Sequence, residues 1–195
     1  VFMALFGVNF SCYYLLLLRQ WKGVFKDEEL RFYVSIILVS ILLIVVDLRG
    51  YYDTLGETVR HAAFQVSTII TTTGFATTDF DLWPSFSKTI LLCLMVVGAC
   101  AGSTGGGLKV SRVVILAQMI RAEVRRMVHP RAVSVVRYEG NTVDKETQTG
   151  TATYFALYSL CIVATYLLIS FDPFSFETHF SAAVACFNNI GPGFD

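Results

Sequence analysis

The sequence predicts an all-α polytopic membrane protein, on three observations. Four long stretches carry no charged residue, basic residues cluster in alternate segments, and two short helix candidates each end in a glycine turn.

The uncharged stretches are Val1–Leu18, Phe32–Val46, Thr89–Leu108 and Thr147–Phe171, in a chain that is 54% hydrophobic and 15% charged. An ordinary soluble domain carries about 25% charge. Runs of roughly 17–25 apolar residues match the hydrocarbon thickness of a bilayer. Three of the four reach that length. Phe32–Val46 is shorter, with Arg31 and Asp47 placed at its interfaces and Arg31 free to snorkel.

Of the fifteen Lys and Arg residues, twelve lie in Arg19–Arg31 and Lys109–Lys145. The positive-inside rule puts those segments in the cytoplasm and the loop at about 48–88 outside. Net charge is zero, so nothing argues for nucleic acid as a partner. The cysteines (Cys12, Cys93, Cys100, Cys161, Cys186) stand singly among apolar residues, without metal or disulfide spacing. His61, His129 and His179 have no second ligand at metal spacing and read as interfacial or capping residues. No nucleophile–base pair or acid pair argues for an enzyme.

In order, Val1–Leu18 reads as the end of a helix entering the cytoplasm and Arg19–Arg31 as a polar loop. A helix near Leu30–Leu48 runs outward to a turn at Arg49–Gly56. Glu57–Ile70 is a short helix too short to span, followed by an extended segment over Thr71–Thr77. Asp79–Pro84 turns the chain back, with Trp83 as an interfacial anchor and Asp79 and Asp81 near the outer mouth. Ser85–Val124 returns inward but is interrupted over Gly98–Gly107. A basic connector, Arg121–Gln148, leads to an outward helix at Gly150–Ser170. A second short helix, Phe176–Asn188, ends in Asn189-Ile190-Gly191-Pro192-Gly193. Aligning Gly74 with Gly191 places His61 and His179 at nearly the same point of two units, a repeat of architecture more than of identity. The chain begins without Met and stops just past a turn, and so reads as a fragment.

Non-helical backbone at membrane depth survives only inside protein or along a watery cavity. Rings of backbone carbonyls replace the hydration shell of potassium in selectivity filters. Glycine reaches positive φ at low cost, and a helix C-terminus pointing inward favours a cation. Thr71-Thr72-Thr73-Gly74 after a short helix therefore reads as one wall of a cation filter, with no acidic side chain between His61 and Thr78. In the interrupted segment, each glycine costs a helix about 0.8–1 kcal/mol relative to Ala. Gly98, Gly102, Gly105, Gly106 and Gly107, with Ala99 and Ala101, should break it, tight small-residue packing being the blander reading. A phosphate-binding loop is excluded, because Leu108 and Val110 separate the glycine, Lys109 and Ser111 that such a loop joins directly.

TTTGFATTDF, GACAGSTGGGLKVSR, VHPRAV, VRYEG and CFNNIGPGF occur in that order. Together they resemble the Trk/Ktr/HKT superfamily of potassium transporters, on its bacterial Trk branch, over essentially the whole chain. The resemblance implies four helix–pore loop–helix repeats around a central ion pore. It places the end of the second repeat at 1–18, a cytoplasmic loop at 19–31 and the third repeat at 32–124. A cytoplasmic connector follows at 125–149, and the first part of the fourth repeat at 150–195.

It further implies that backbone carbonyls of Thr72, Thr73, Gly74, Asn189, Ile190 and Gly191 hold K+, the transported ion. Gly98, Gly102, Gly105, Gly106 and Gly107 would form an intramembrane gating loop below them. Asn189-Ile190 departs from the Thr-rich third loop, so side-chain support there must differ, and Pro192 replaces Phe75 at the outer edge. No organic cofactor is implied. The implied partners are membrane lipid, a second copy in a homodimer, and a cytosolic nucleotide-binding regulatory subunit. Arg121, Arg125 and Arg126 could face either that subunit or lipid headgroups. The implied location is the bacterial cytoplasmic membrane. A sodium-permeable relative and a non-conducting membrane scaffold are the alternatives.

Overall fold

The computed structural model describes residues 1–129 and 135–194. Among them the elements are α1 (Phe2–Phe6), α2 (Phe10–Leu17), α3 (Trp21–Lys26), α4 (Glu28–Asp47), α5 (Leu55–Ile70), α6 (Ser85–Val97), α7 (Val110–Val128), β1 (Arg137–Tyr138), β2 (Asn141–Thr142), α8 (Lys145–Ile169) and α9 (Phe176–Phe187). The fold is all-α apart from one two-residue hairpin, in which Arg137 pairs with Thr142. The VHPRAV motif falls largely on 130–134, outside the described residues.

Several helix starts carry side-chain caps. Asp27 accepts from Leu30 N at 2.8 Å, Thr54 from Glu57 N at 3.2 Å, Asp144 from Thr147 N at 3.1 Å and Ser175 from Thr178 N at 3.2 Å. Each satisfies a donor the helix leaves orphaned. The 20 residues of α4, at 1.5 Å rise each, reach about 30 Å. α4 and α8 are long and apolar enough to cross a membrane; α6 is apolar but shorter.

Two expectations change. Val1–Leu18 is not one helix: it breaks at Gly7-Val8-Asn9, where Asn9 caps α2 through Ser11 N at 2.9 Å. A Cβ on Gly7 would strike the Tyr33 hydroxyl and approach Thr71 Cγ2 to 2.8 Å. The polar segment Arg19–Arg31 is also more than a loop, since it contains α3 and the start of α4. In addition, α7 continues to Val128, so Arg121, Arg125 and Arg126 stand on a helix.

The core gathers around α5, which packs on α4 and α6, while α9 packs on α8 and α6. Ile69, Ile70, Leu91, Met95, Val110 and Val184 are fully buried in it. α4 and α6 are pinned at one end by Asp47, whose carboxylate accepts from Ser87 N at 3.1 Å and Ser87 Oγ at 2.6 Å. Ser87→Ala removes a hydrogen bond to a charged group at a fully buried site, and should destabilise the protein by about 1.5–3 kcal/mol. A lowered Tm in detergent is the expected result.

Candidate functional site

The short helices α5 and α9 end in the same way. Thr72 N donates to Ile69 O at 3.1 Å and Thr73 N to Thr68 O at 2.9 Å; Asn189 N donates to Cys186 O at 3.1 Å and Ile190 N to Ala185 O at 2.9 Å. These paired 5→2 and 6→1 bonds are Schellman motifs, which place the residue after the C-cap in the left-handed region. Thr72 has φ +53 and Asn189 φ +58; two residues later Gly74 has φ +81 and Gly191 φ +108. The two loops thus repeat one backbone pattern, left-handed at alternate residues.

Glycine usually fills the first of those positions. Asn tolerates it, but β-branched Thr72 is a genuine outlier, at a cost of roughly 1–2 kcal/mol. Its hydroxyl supplies what glycine lacks, accepting from Gly106 N at 2.8 Å. Side-chain support differs between the loops. In the first, Thr71 Oγ1 lies 2.6 Å from Ser67 O and 2.8 Å from Thr73 Oγ1, and Phe75 N donates to Thr68 Oγ1 at 2.9 Å. In the second, buried Asn188 accepts from Tyr158 OH at 2.9 Å through Oδ1 and donates to Val184 O at 2.8 Å. Ser181 Oγ there accepts from Phe194 N at 2.8 Å.

The loops meet. A Cβ on Gly74 would collide with the carbonyl oxygen of Ile190 and lie 3.3 Å from Pro192 Cδ. Beneath them, the segment between α6 and α7 is an excursion closed at its base. Leu108 N donates to Val96 O at 3.1 Å, Lys109 N to Val97 O at 3.0 Å and Val110 N to Ala99 O at 3.1 Å. Gly98 and Gly107 form the neck, where a Cβ on Gly107 would lie 2.8 Å from Gly98 Cα. Gly105 and Gly106 carry the loop under the C-terminal ends of both α5 and α9. A Cβ on Gly105 would come within 3.3 Å of Thr71 O, and one on Gly106 would strike Asn188 O. The Lys109 ammonium donates to Gly105 O.

The break between α1 and α2 holds the other side of this loop. Cys100 N donates to Gly7 O at 3.0 Å and Phe10 N to Gly102 O at 3.2 Å. Glu29, at 2% exposure, accepts from Ala101 N at 2.6 Å and Ser111 N at 3.0 Å through one oxygen. The hairpin rests on the same helix start, Glu139 N donating to Glu28 Oε2 at 3.0 Å. Burial, with the nearby Asp27, Glu29 and Glu28 carboxylates, holds the Glu139 carboxyl above its ordinary pKa.

A profile of the TrkH family, described as a cation transport protein, matches residues 1–195. The chain belongs to the TrkH family. It is 34% identical over 196 residues to the Trk system potassium uptake protein TrkH of Salmonella typhimurium, covering 99% of this chain and 41% of that protein. It is also 34% identical over 196 residues to TrkG of Escherichia coli, covering 99% and 40%. The crystal structure of the potassium transporter TrkH from Vibrio parahaemolyticus superposes with a TM-score of 0.90 at 32% identity, over 99% of this chain and 42% of that one. The chain thus spans about two fifths of the length of these TrkH-family relatives.

Of the residues singled out in this TrkH-family sequence, Thr72, Thr73, Gly74, Asn189, Ile190 and Gly191 form the two adjoining loops. Gly105 and Gly106 lie against them, and Gly98 and Gly107 close the neck. Gly102 is separate: a Cβ there would meet Asn9 Oδ1 at 3.1 Å, on the side of the α1–α2 break. Trp83 is buried, not a surface anchor, and its indole donates to Tyr52 OH at 3.1 Å. His61 pairs with Thr77 Oγ1 at 3.2 Å and stacks on Tyr52, while His179 pairs with Asp172 O at 3.0 Å. Asp79 accepts from Asp81 N, and Asp81 and Glu177 both bind Lys88, at 3.3 and 3.4 Å. Glu29, Asn9 and Tyr158 were not singled out in the sequence. An acidic residue in the first turn of a helix reads locally as helix-dipole stabilisation, and its partners lie 72 and 82 positions away.

Proposed function

We propose that this chain supplies part of the pore of a potassium uptake protein in the bacterial cytoplasmic membrane. The observation that carries the reading is the shared backbone of the two loops, left-handed at Thr72 and Gly74 and again at Asn189 and Gly191, with Gly74 against Ile190. The relatives are named potassium uptake proteins. Residues 32–124 form the third helix–pore loop–helix repeat, 150–195 begin the fourth, 1–18 end the second, and 19–31 and 125–149 are cytoplasmic.

Carbonyls of Thr72, Thr73, Gly74, Asn189, Ile190 and Gly191 replace water around K+, as filter carbonyls do. Two fixed Schellman turns give this backbone its shape before the ion arrives, so little ordering remains to oppose binding. The loop carrying Gly98, Gly102, Gly105, Gly106 and Gly107 obstructs the path directly below and opens it by moving aside. The whole protein works as a homodimer with a cytosolic nucleotide-binding subunit. Arg121, Arg125 and Arg126 lie on the cytoplasmic end of α7, in reach of that subunit or of anionic lipid.

The test is uptake by the full-length protein in bacteria stripped of their own potassium uptake systems. Growth at low potassium and rubidium uptake that excess potassium, but not sodium, suppresses are expected. Equal competition by sodium would assign the sodium-permeable alternative, and absence of any flux in purified liposomes would assign the scaffold.

A further inference from the structure

We infer that Glu29 is a positioning residue that latches the glycine loop beneath the filter; this rests on the filter-and-gate reading above. Lys109, the residue before α7, has φ +78 and gives the helix no side-chain cap. Its first amides find partners elsewhere: Val110 N on Ala99 O and Ser111 N on Glu29 Oε1 at 3.0 Å. Glu29 therefore caps a helix 82 residues away, with its negative charge at the positive end of that helix dipole.

The same oxygen accepts from Ala101 N at 2.6 Å, on the outgoing limb of the loop. One carboxylate, 2% exposed, thus joins a fixed helix start to a segment that must move if the pore is to open. Charge-assisted bonds of this kind are roughly twice as strong as neutral ones. Without Glu29, two amides lose their acceptor in the interior, and the loop keeps only neutral bonds and the Lys109–Gly105 contact. Sequence-adjacent Glu28 receives the hairpin through Glu139 N, so a displacement of the cytoplasmic connector bears on the helix end that carries the latch.

Cys100, fully buried within the loop, is a native reporter. The experiment uses the full-length protein in liposomes, with its other cysteines replaced. It follows modification of Cys100 by a small thiol reagent alongside rubidium flux and the potassium/sodium ratio. Glu29→Ala should raise the modification rate about tenfold or more, the loss expected of hydrogen bonds to a charged group. Flux should rise several-fold while the ion ratio stays unchanged. Glu29→Gln keeps an acceptor without the charge and should give a partial effect of about threefold, with half of the charge-assisted strength retained. It decides the matter if the alanine variant fails to fold.

Wild-type protection of Cys100 in both variants overturns the latch and leaves the filter reading untouched. Faster modification with unchanged flux overturns the gating half of the inference. A changed ion ratio would overturn it too, by tying Glu29 to the filter instead of the loop.

Discussion

Gly74→Ala is expected to abolish rubidium uptake by the full-length protein, with residual flux at or below about one hundredth of wild type. Two effects coincide at this residue. Its φ of +81 lies where an L side chain is strained, and in the left-handed region that costs roughly 1–2 kcal/mol. The added Cβ also meets the Ile190 carbonyl oxygen, which is backbone and has no rotamer by which to retreat. Either the Gly74 turn or the Ile190 carbonyl must move, and both belong to the proposed ion-binding ring. Because filter geometry is the whole of the proposed selectivity, any surviving flux should discriminate poorly between potassium and sodium. Near-normal uptake with intact selectivity would remove Gly74 and Ile190 from the ring. Gly191→Ala is a useful companion, since open space surrounds that position although its φ is +108. It should show the strain without the collision, and hence a milder loss.

Gly106→Ala is expected to act in the opposite direction, raising rubidium flux several-fold. The new methyl would strike Asn188 O, a backbone atom of the α9 C-cap residue, whose side chain is fixed by Tyr158 and Val184. The loop is the softer partner, so it should shift away. That movement breaks the Gly106 N to Thr72 Oγ1 bond, a net loss of about 0.5–1.5 kcal/mol, in addition to the collision. The neck bonds of Leu108, Lys109 and Val110 lie outside the disturbed stretch, so the helices should remain in place and the protein should still fold. The measurement is flux in liposomes together with the melting temperature. Flux equal to wild type in a folded Gly106→Ala protein would leave the loop with only a packing role. The Thr72 hydroxyl would then stabilise a strained turn and nothing more.

What could be read from the sequence was local. Three consecutive glycines at 105–107 have no use inside a helix, so the interruption between α6 and α7 was visible from helix propensity alone. The Thr-Thr-Thr-Gly and Asn-Ile-Gly turns were visible because each follows a short helix candidate, the first of them between long apolar runs. What stayed hidden was decided by distant contacts. The break at Gly7–Asn9 lies in a run without charge, and beside the Asn9 cap its reason is the Tyr33 hydroxyl and the loop backbone that dock there. Trp83 is the residue type expected at a bilayer interface, yet the outer turn folds over it and engages its indole N–H. Gly102 reads like its neighbouring glycines, and only the fold assigns it to Asn9. The hairpin at 137–142 is too short to leave a periodic signature. Glu29 shows the limit best: nothing within ten residues of it indicates that its carboxylate closes two amides 72 and 82 positions further along the chain.

The closed base of the glycine loop has an energetic consequence. Since α6 and α7 are tied to each other through residues 96–99 and 108–110, the stretch between them can be displaced without parting the two helices. Five bonds between the excursion and its surroundings would be surrendered: Cys100 to Gly7, Phe10 to Gly102, Ala101 to Glu29, Thr104 to Phe6, and Gly106 to Thr72. At a net value of about 0.5–1.5 kcal/mol for each ordinary bond and 1.5–3 for the one to Glu29, the sum is on the order of 3.5–9 kcal/mol. A ligand must favour one state by about 5.5 kcal/mol to swing a two-state equilibrium from 1:99 to 99:1. A single binding event elsewhere in an assembly is therefore of the right size to move the proposed gate from one state to the other.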